Sequence, residues 1–314
     1  MNPTTWKSPL THSLQHAHPD AAAYPCVQQV AQEDHLAPEC LIKVFELEQV
    51  FHSRILATED PNERKRQYAA LYNEVHHLKQ AGSTVAFHSD SPNEVARQSR
   101  LALTFRREIS GRSLLDVGCG AGLFLRTVHK LVSHGRLCGI DTSAVRLPAE
   151  DESIRFVQSD VVRFQIDAKF DVVFSHQVLE HIAPADLPAH LSSIRNALED
   201  GGKLIVCLPN RYWGPQDVTR IIDNSFRGKV PAMGSHLNES SYTELVPVLE
   251  SYGFSNCRTI LPLAAFLPAV SEYRVRPWFN RLIETQGTIR TILNLIRASG
   301  KPIFKNPIIL ICDK

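Results

Sequence analysis

From Gly111 onward, apolar runs of strand length alternate with segments of helical periodicity. The runs SLLDVG (113–118), RLCGID (136–141), IRFVQSD (154–160), FDVVFSH (170–176) and KLIVCLP (203–209) are rich in Val, Ile and Leu. Near-continuous apolarity of this kind implies burial on both faces, as in parallel strands flanked by helices. Leu187, Leu191, Ile194 and Leu198 form one helical stripe that meets Gly201 and Gly202. A second helix opens after His236 with the capping pair Ser241 and Glu244 and stops at Gly253. CRTILPL (257–263) and NPIILICD (306–313) read as the last two strands. The pattern predicts an α/β fold, a doubly wound, mostly parallel sheet of seven strands, over 111–314 with an insertion at about 264–305.

The first third reads differently. Residues 1–36 are rich in His, Pro and Ala without periodicity and are expected to form a disordered leader. A helical region is expected over 37–110. Its first helix carries Leu41, Val44, Phe45, Val50, Phe51 and Ile55 at helical spacing. The second opens on DPNE (60–63), with Asp60 as cap and Glu63 closing a box, and its stripe is Tyr68, Leu71, Tyr72, Val75 and Leu78. The third opens on SPNE (91–94) and runs to about Ile109. This block either covers a pocket mouth or lengthens the core, and periodicity does not choose.

Composition narrows the function. Of the 314 residues 43% are hydrophobic, enough for a full core, and 34 Lys and Arg against 33 Asp and Glu leave no global field that draws nucleic acid. The 7 cysteines are scattered without a C-x-x-C pair, which argues against a disulfide framework and a structural zinc site, and no metal is expected. No apolar run suits a signal peptide or a membrane span, so a cytoplasmic protein is expected. One segment departs from neutrality. Residues 271–305 carry Arg274, Arg276, Arg281, Arg290, Arg297, Lys301 and Lys305 against Glu272 and Glu284, beside an apolar stripe of Ile289, Ile292, Leu293 and Ile296. That stretch is a helix with a solvated basic face, or it touches an anionic substrate or membrane surface.

The chemistry gathers at strand ends. Gly118, Gly120 and Gly122 follow the first strand, where a backbone without side chains and a helix N-terminus can approach a ligand. Asp141 ends the second strand, where a carboxylate can accept from two ribose hydroxyls, and Asp160 ends the third, where one can accept from an adenine amine. The loop is G-x-G-x-G, with Leu123 where a dinucleotide fingerprint wants its last glycine. Asp116 would repel a pyrophosphate but suits an ammonium or sulfonium group. The cofactor so described is S-adenosylmethionine.

Through LLDVGCGAG (114–122), GID (139–141), SD (159–160), FDVVFSHQVLEHI (170–182) and GGKLIVCLPN (201–210), the chain resembles the class I S-adenosylmethionine-dependent methyltransferases. The resemblance implies a Rossmann-like methyltransferase fold in which Asp116, Gly118 and Gly120 line the methionine moiety and Gly122 belongs to the same cofactor loop. It further implies that Asp141 holds the ribose, that Asp160 and Val161 read the adenine, and that Ser175 and His176 close the methionine side. Cys119 is given no catalytic role.

Methyl transfer needs an aligned acceptor and, for a hydroxyl, a group that takes its proton. His176, His181 and His236 are the candidate bases, in that order of preference, and Tyr212 and Trp213 either wall the acceptor side or belong to the core. The chain has SHQV where enzymes on amide or base nitrogens often carry an Asn- or Asp-Pro-Pro-aromatic tetrad. The reading is therefore a small-molecule acceptor with a hydroxyl favoured, a sugar, lipid-linked compound or secondary metabolite, and no nucleic acid. A protein methyltransferase and a non-catalytic cofactor-binding protein are the alternatives.

Overall fold

The computed structural model describes residues 23–84, 91–143, 153–225, 230–260, 273–285, 287 and 307–314. Within them one eight-stranded sheet runs in the order β3-β2-β1-β4-β5-β8-β6-β7. Strands β1 (Leu114–Val117), β2 (Leu137–Asp141), β3 (Ile154–Gln158), β4 (Phe170–His176) and β5 (Leu198–Leu208) are parallel to their neighbours. Strand β8 (Ile308–Asp313) lies antiparallel between β5 and β6 (Ser255–Ile260). The eighth strand, β7 (Arg274–Val275), pairs with β6 at the edge and lies inside the expected insertion. At two residues it is too short to leave an apolar pattern, which is why seven strands were expected rather than eight. The chain winds outward from β1 to β3 and then returns to β4 on the other side of β1, and such a reversal opens a crevice at the strands' carboxyl ends.

Alternation along the strands sorts the two faces. Leu115, Val117 and Val173 join Leu191 and Ile194 of α7 (Leu187–Ala197) and Leu245 and Leu249 of α8 (Tyr242–Ser251) in one core. Leu114, Val172 and Phe174 point the other way, against Ala102 of α4 (Pro92–Thr104), Ile109 of α5 (Arg106–Ile109) and Leu125 and Val128 of α6 (Leu123–Leu131). A third core joins α1 (Val27–Asp34), α2 (Pro38–Ala57) and α3 (Pro61–Gly82) to Val162, Val178, Ile182, Val218 and Leu237, which follow β3, β4 and β5. The N-terminal helices thus cover the end of the sheet where the crevice opens.

Several local expectations change. Helix α1 falls inside the stretch read as a leader, and it is folded because Val30 is fully buried and the Cys26 amide donates to the Ile221 carbonyl at 2.9 Å. Asp60 caps α3 through the Asn62 amide, but Glu63 turns to Arg66 and Gln67 instead of closing a box. Ser241 and Glu244 do close theirs. Helix α7 ends at Ala197, before the two glycines, because Leu198 already pairs with Phe170 as the start of β5. Cys257 and Cys312 form a disulfide across neighbouring strands β6 and β8, where the scattered cysteines had argued against a disulfide framework. Their separation of 55 residues hides a pairing that strand register makes. In the basic segment, Arg274 lies in β7 and forks onto Glu108 at 2.8 Å, while Arg281 is in α9 (Trp278–Thr285). The stripe from Ile289 to Ile296, with Arg290 and Arg297, lies outside the described residues. No described helix is long and apolar enough to cross a membrane.

Candidate active site

The glycine turn binds β1 to β2 before any ligand is considered. Gly118, Gly120 and Gly122 all have positive φ, at 75°, 54° and 69°. A Cβ on Gly118 would stand 2.5 Å from Val178 Cγ2, so a side chain there would push away the segment that follows β4. At Gly120 nothing lies within 4 Å of the missing Cβ, and the backbone is open to a ligand. The Gly120 amide donates to one carboxylate oxygen of Asp141 and the Ser143 amide to the other, each at 2.9 Å. One carboxylate therefore holds both the turn and the end of β2.

Beyond these strand ends lies a cavity of about 430 Å³, within the roughly 300 to 1,000 Å³ usual for small-molecule sites. Among the residues expected from sequence, Gly118, Asp141, Asp160, Val161 and His181 line it. Asp160 accepts from the Val162 amide at 2.8 Å, and Lys65 Nζ stands 3.7 Å from its other oxygen. Asp116 is buried behind the turn, and burial, then the charge of Asp141, pushes its carboxyl up to about 8. Ser175 is 1% exposed and its hydroxyl has no hydrogen-bond partner among the described residues. Burial raises the Cys119 thiol far above its ordinary range, which disfavours the reactive thiolate.

The three candidate histidines separate. His176 is not part of the cavity wall; its ring stacks on Phe174 at 5.9 Å, and burial and Arg97 of α4 bring its pKa down to about 4. His181 lines the cavity and lies edge-on to His236, ring centroids 4.7 Å apart. Tyr212 and His236 line a second hollow of about 560 Å³, whereas Trp213 is a core residue, 4% exposed.

A short loop fixes the His181 side. The amides of Leu237 and Asn238 donate to the Glu180 carbonyl at 2.7 and 2.9 Å. The Ser235 amide donates to Glu48 of α2 at 2.7 Å, and its carbonyl accepts from His181 Nδ1 at 3.0 Å. Asp217 accepts from the Gly234 amide at 2.8 Å, and Glu239 accepts from His236 Nδ1 at 2.6 Å. Burial works against a charged His236, but the Glu239 hydrogen bond and the charges of Asp217 and Glu180 outweigh it and raise its pKa.

Helix α3 forms the opposite wall with Lys65, Tyr68 and Tyr72. Arg64 forks onto Asp186 at 2.8 and 2.6 Å, the Tyr68 hydroxyl donates to Asp186 at 3.3 Å and accepts from the Ala183 amide at 2.8 Å. Sequence reading took Tyr68 and Tyr72 for an apolar stripe and passed over Lys65, since a helix facing a cavity has the same period as one facing a core. It also missed Gln177, a cavity residue held at φ 57°, a conformation with no signature in the sequence.

Comparison with known proteins gives the family. The profile of the family described as "Methyltransferase domain" matches residues 87–258. The chain is 32% identical over 112 residues to a ubiquinone biosynthesis O-methyltransferase of Bradyrhizobium sp. strain ORS 278, covering 33% of this chain and 43% of that protein. It is 31% identical over 170 residues to the tRNA U34 carboxymethyltransferase of Haemophilus influenzae, covering 48% of each. The matches thus span less than half of these relatives' lengths. Among solved structures, a methyltransferase from Archaeoglobus fulgidus is 17% identical with a TM-score of 0.45, covering 77% of this chain and 100% of that one. The chain belongs to the methyltransferase domain family, and the cofactor of that family is S-adenosylmethionine. The residues present fit it: the open backbone at Gly120, the cavity-lining Asp141 carboxylate and the unpartnered Ser175 hydroxyl all stand at these strand ends.

Proposed function

We propose that this chain methylates a hydroxyl group of a small-molecule acceptor. Asp141 would hold the ribose, Asp160 and Val161 the adenine end, and Asp116, Gly118, Gly120, Gly122 and Ser175 the methionine end. When bound, the cofactor would supply a transferable methyl group on a cationic sulfur, and the chain's own residues would align the acceptor oxygen and take its proton. The observation that carries the reading is His181, which lines the cavity with Nδ1 fixed on the Ser235 carbonyl. We assign the activation of the acceptor hydroxyl to His181 in preference to His176, which is not among the residues lining the cavity. The roof of Tyr68 and Tyr72 suits a small planar or apolar acceptor better than an extended peptide. The similarity to a ubiquinone biosynthesis O-methyltransferase supports the same acceptor chemistry.

The test offers labelled cofactor to a panel of catechols, sugars, amines, peptides and bulk tRNA. Label is expected in the hydroxyl compounds, as ethers stable to mild base. Label confined to tRNA, peptide or amine would replace this reading with the corresponding one. His181→Gln is expected to lower turnover by roughly 100-fold with cofactor affinity unchanged, measured by steady-state kinetics and calorimetry.

Asp116 adds a pH dependence. Its carboxyl, near 8 when the cavity holds no cation, must lose its proton to meet a sulfonium or ammonium group. Below that value binding expels a proton, so affinity is expected to fall by up to about tenfold per pH unit as pH drops from 8. Asp116→Asn should flatten the profile. Proton release measured by calorimetry in two buffers checks it, and none at pH 7 would remove Asp116 from the site.

A further inference from the structure

We infer that Glu180, His181 and His236 form a binding site for a divalent transition-metal ion at the edge of the cofactor cavity. One ligand atom from each of the three lies within 4.8 Å of the other two. Glu180 is fully buried, and neither of its carboxylate oxygens has a hydrogen-bond partner among the described residues. A carboxylate removed from water without a partner costs several kcal/mol, a cost that a cation between it and the two imidazoles would offset.

The surroundings orient the imidazoles as metal sites do. His181 Nδ1 gives its hydrogen to the Ser235 carbonyl and His236 Nδ1 to the Glu239 carboxylate, so Nε2 is the atom each ring would turn to an ion, and at His236 the ion must displace the proton that Glu239, Asp217 and Glu180 favour. Ligating histidines usually have their other nitrogen held in this way by a carbonyl or carboxylate. The loop that carries His236 is itself tied to the Glu180 carbonyl, to Glu48 and to Asp217, so all three ligands belong to one braced unit. Three ligands about 2.1 Å from a common tetrahedral ion stand about 3.4 Å apart, so ligand atoms separated by up to 4.8 Å need to close by up to about 1.4 Å. Two nitrogens and one carboxylate suit zinc, manganese, iron(II) or cobalt, and three protein ligands leave positions open to a substrate.

His181 is shared between this cluster and the cavity wall, which points the open positions toward the acceptor. Resting on the proposed hydroxyl methylation, the ion would act as a Lewis acid that lowers the acceptor's pKa, with the proton passing to solvent. His181 would then be a ligand instead of a base.

Chelator-treated, full-length protein titrated with cobalt(II), followed by calorimetry and visible absorption, tests the site. One ion per chain is expected, with the visible bands of a cobalt site of mixed nitrogen and oxygen ligands. Glu180→Gln and His181→Ala are each expected to weaken cobalt binding by at least about 100-fold, and Glu239→Gln by about 10- to 100-fold, while His176→Gln binds as wild type. Far-ultraviolet circular dichroism and cofactor affinity establish that each variant is folded. Because Glu180 is fully buried, the half-exposed His181 serves as the second variant. No cobalt, zinc or manganese binding at millimolar metal by the folded wild type would overturn the site, as would wild-type affinity in folded Glu180→Gln or His181→Ala. Metal binding without hydroxyl methylation would overturn the acceptor reading and leave the site standing.

Discussion

Asp186→Ala is expected to destabilise the protein by about 3 to 5 kcal/mol. Arg64 and Asp186 are 4% and 1% exposed, and their two-pronged contact is made away from water. Removing the carboxylate leaves a buried guanidinium with, among the described residues, the carbonyls of Thr58 and Glu59, and also strips Tyr68 of an acceptor. Burial pushes the Asp186 carboxyl up, but hydrogen bonds and charges from Arg64 and Arg163 outweigh it and hold the pKa below its ordinary value. A depressed acid stabilises the fold above its unfolded pKa and loses that contribution as pH falls through its folded value. The defect should therefore be full at neutral pH and shrink in acid. Urea unfolding at pH 7 and pH 3 reads both, and a loss below 1 kcal/mol at pH 7 would mean that the pair is dispensable. Because the pair anchors α3 and Tyr68 lines the cavity, cofactor affinity should fall alongside stability.

Asp141→Ala is expected to weaken S-adenosylmethionine binding by about 3 kcal/mol, roughly 150-fold. The variant loses the acceptor proposed for two ribose hydroxyls and also the one that holds the amides of Gly120 and Ser143. Asp141→Asn keeps one acceptor oxygen for that turn and should recover part of the loss. Calorimetry on both variants separates the two contributions. Wild-type affinity in folded Asp141→Ala would take the ribose away from this carboxylate.

The sheet was legible because its central strands are buried on both faces. Leu114 to Val117 or Phe170 to His176 need no tertiary information to read as interior parallel strands, and local turn chemistry at Ser241 and Glu244 fixed a helix start to the residue. The cavity-lining acids were legible too, since Asp141 ends β2, Asp160 follows β3 and fold topology brings such ends together. Features that failed to show depend on partners far along the chain. β7 exists only because β6 offers it an edge, and Cys257 meets Cys312 only through strand register. His176 and His181 are near neighbours in sequence, yet one stands against α4 and the other lines the cavity. The turn of backbone between them, with Gln177 at φ 57°, makes that difference.

By itself, then, the sequence determined the sheet, the glycine turn and the acids at the strand ends, because each rests on residue type and local period. Only the tertiary structure decided what the N-terminal helices do and which histidines share a site. Both outcomes rest on long-range contacts, Arg64 with Asp186 and the 234–239 loop with Glu48, Asp217 and Glu180. Those bonds form between segments that no local pattern relates, and they exist only once the sheet has brought the segments together.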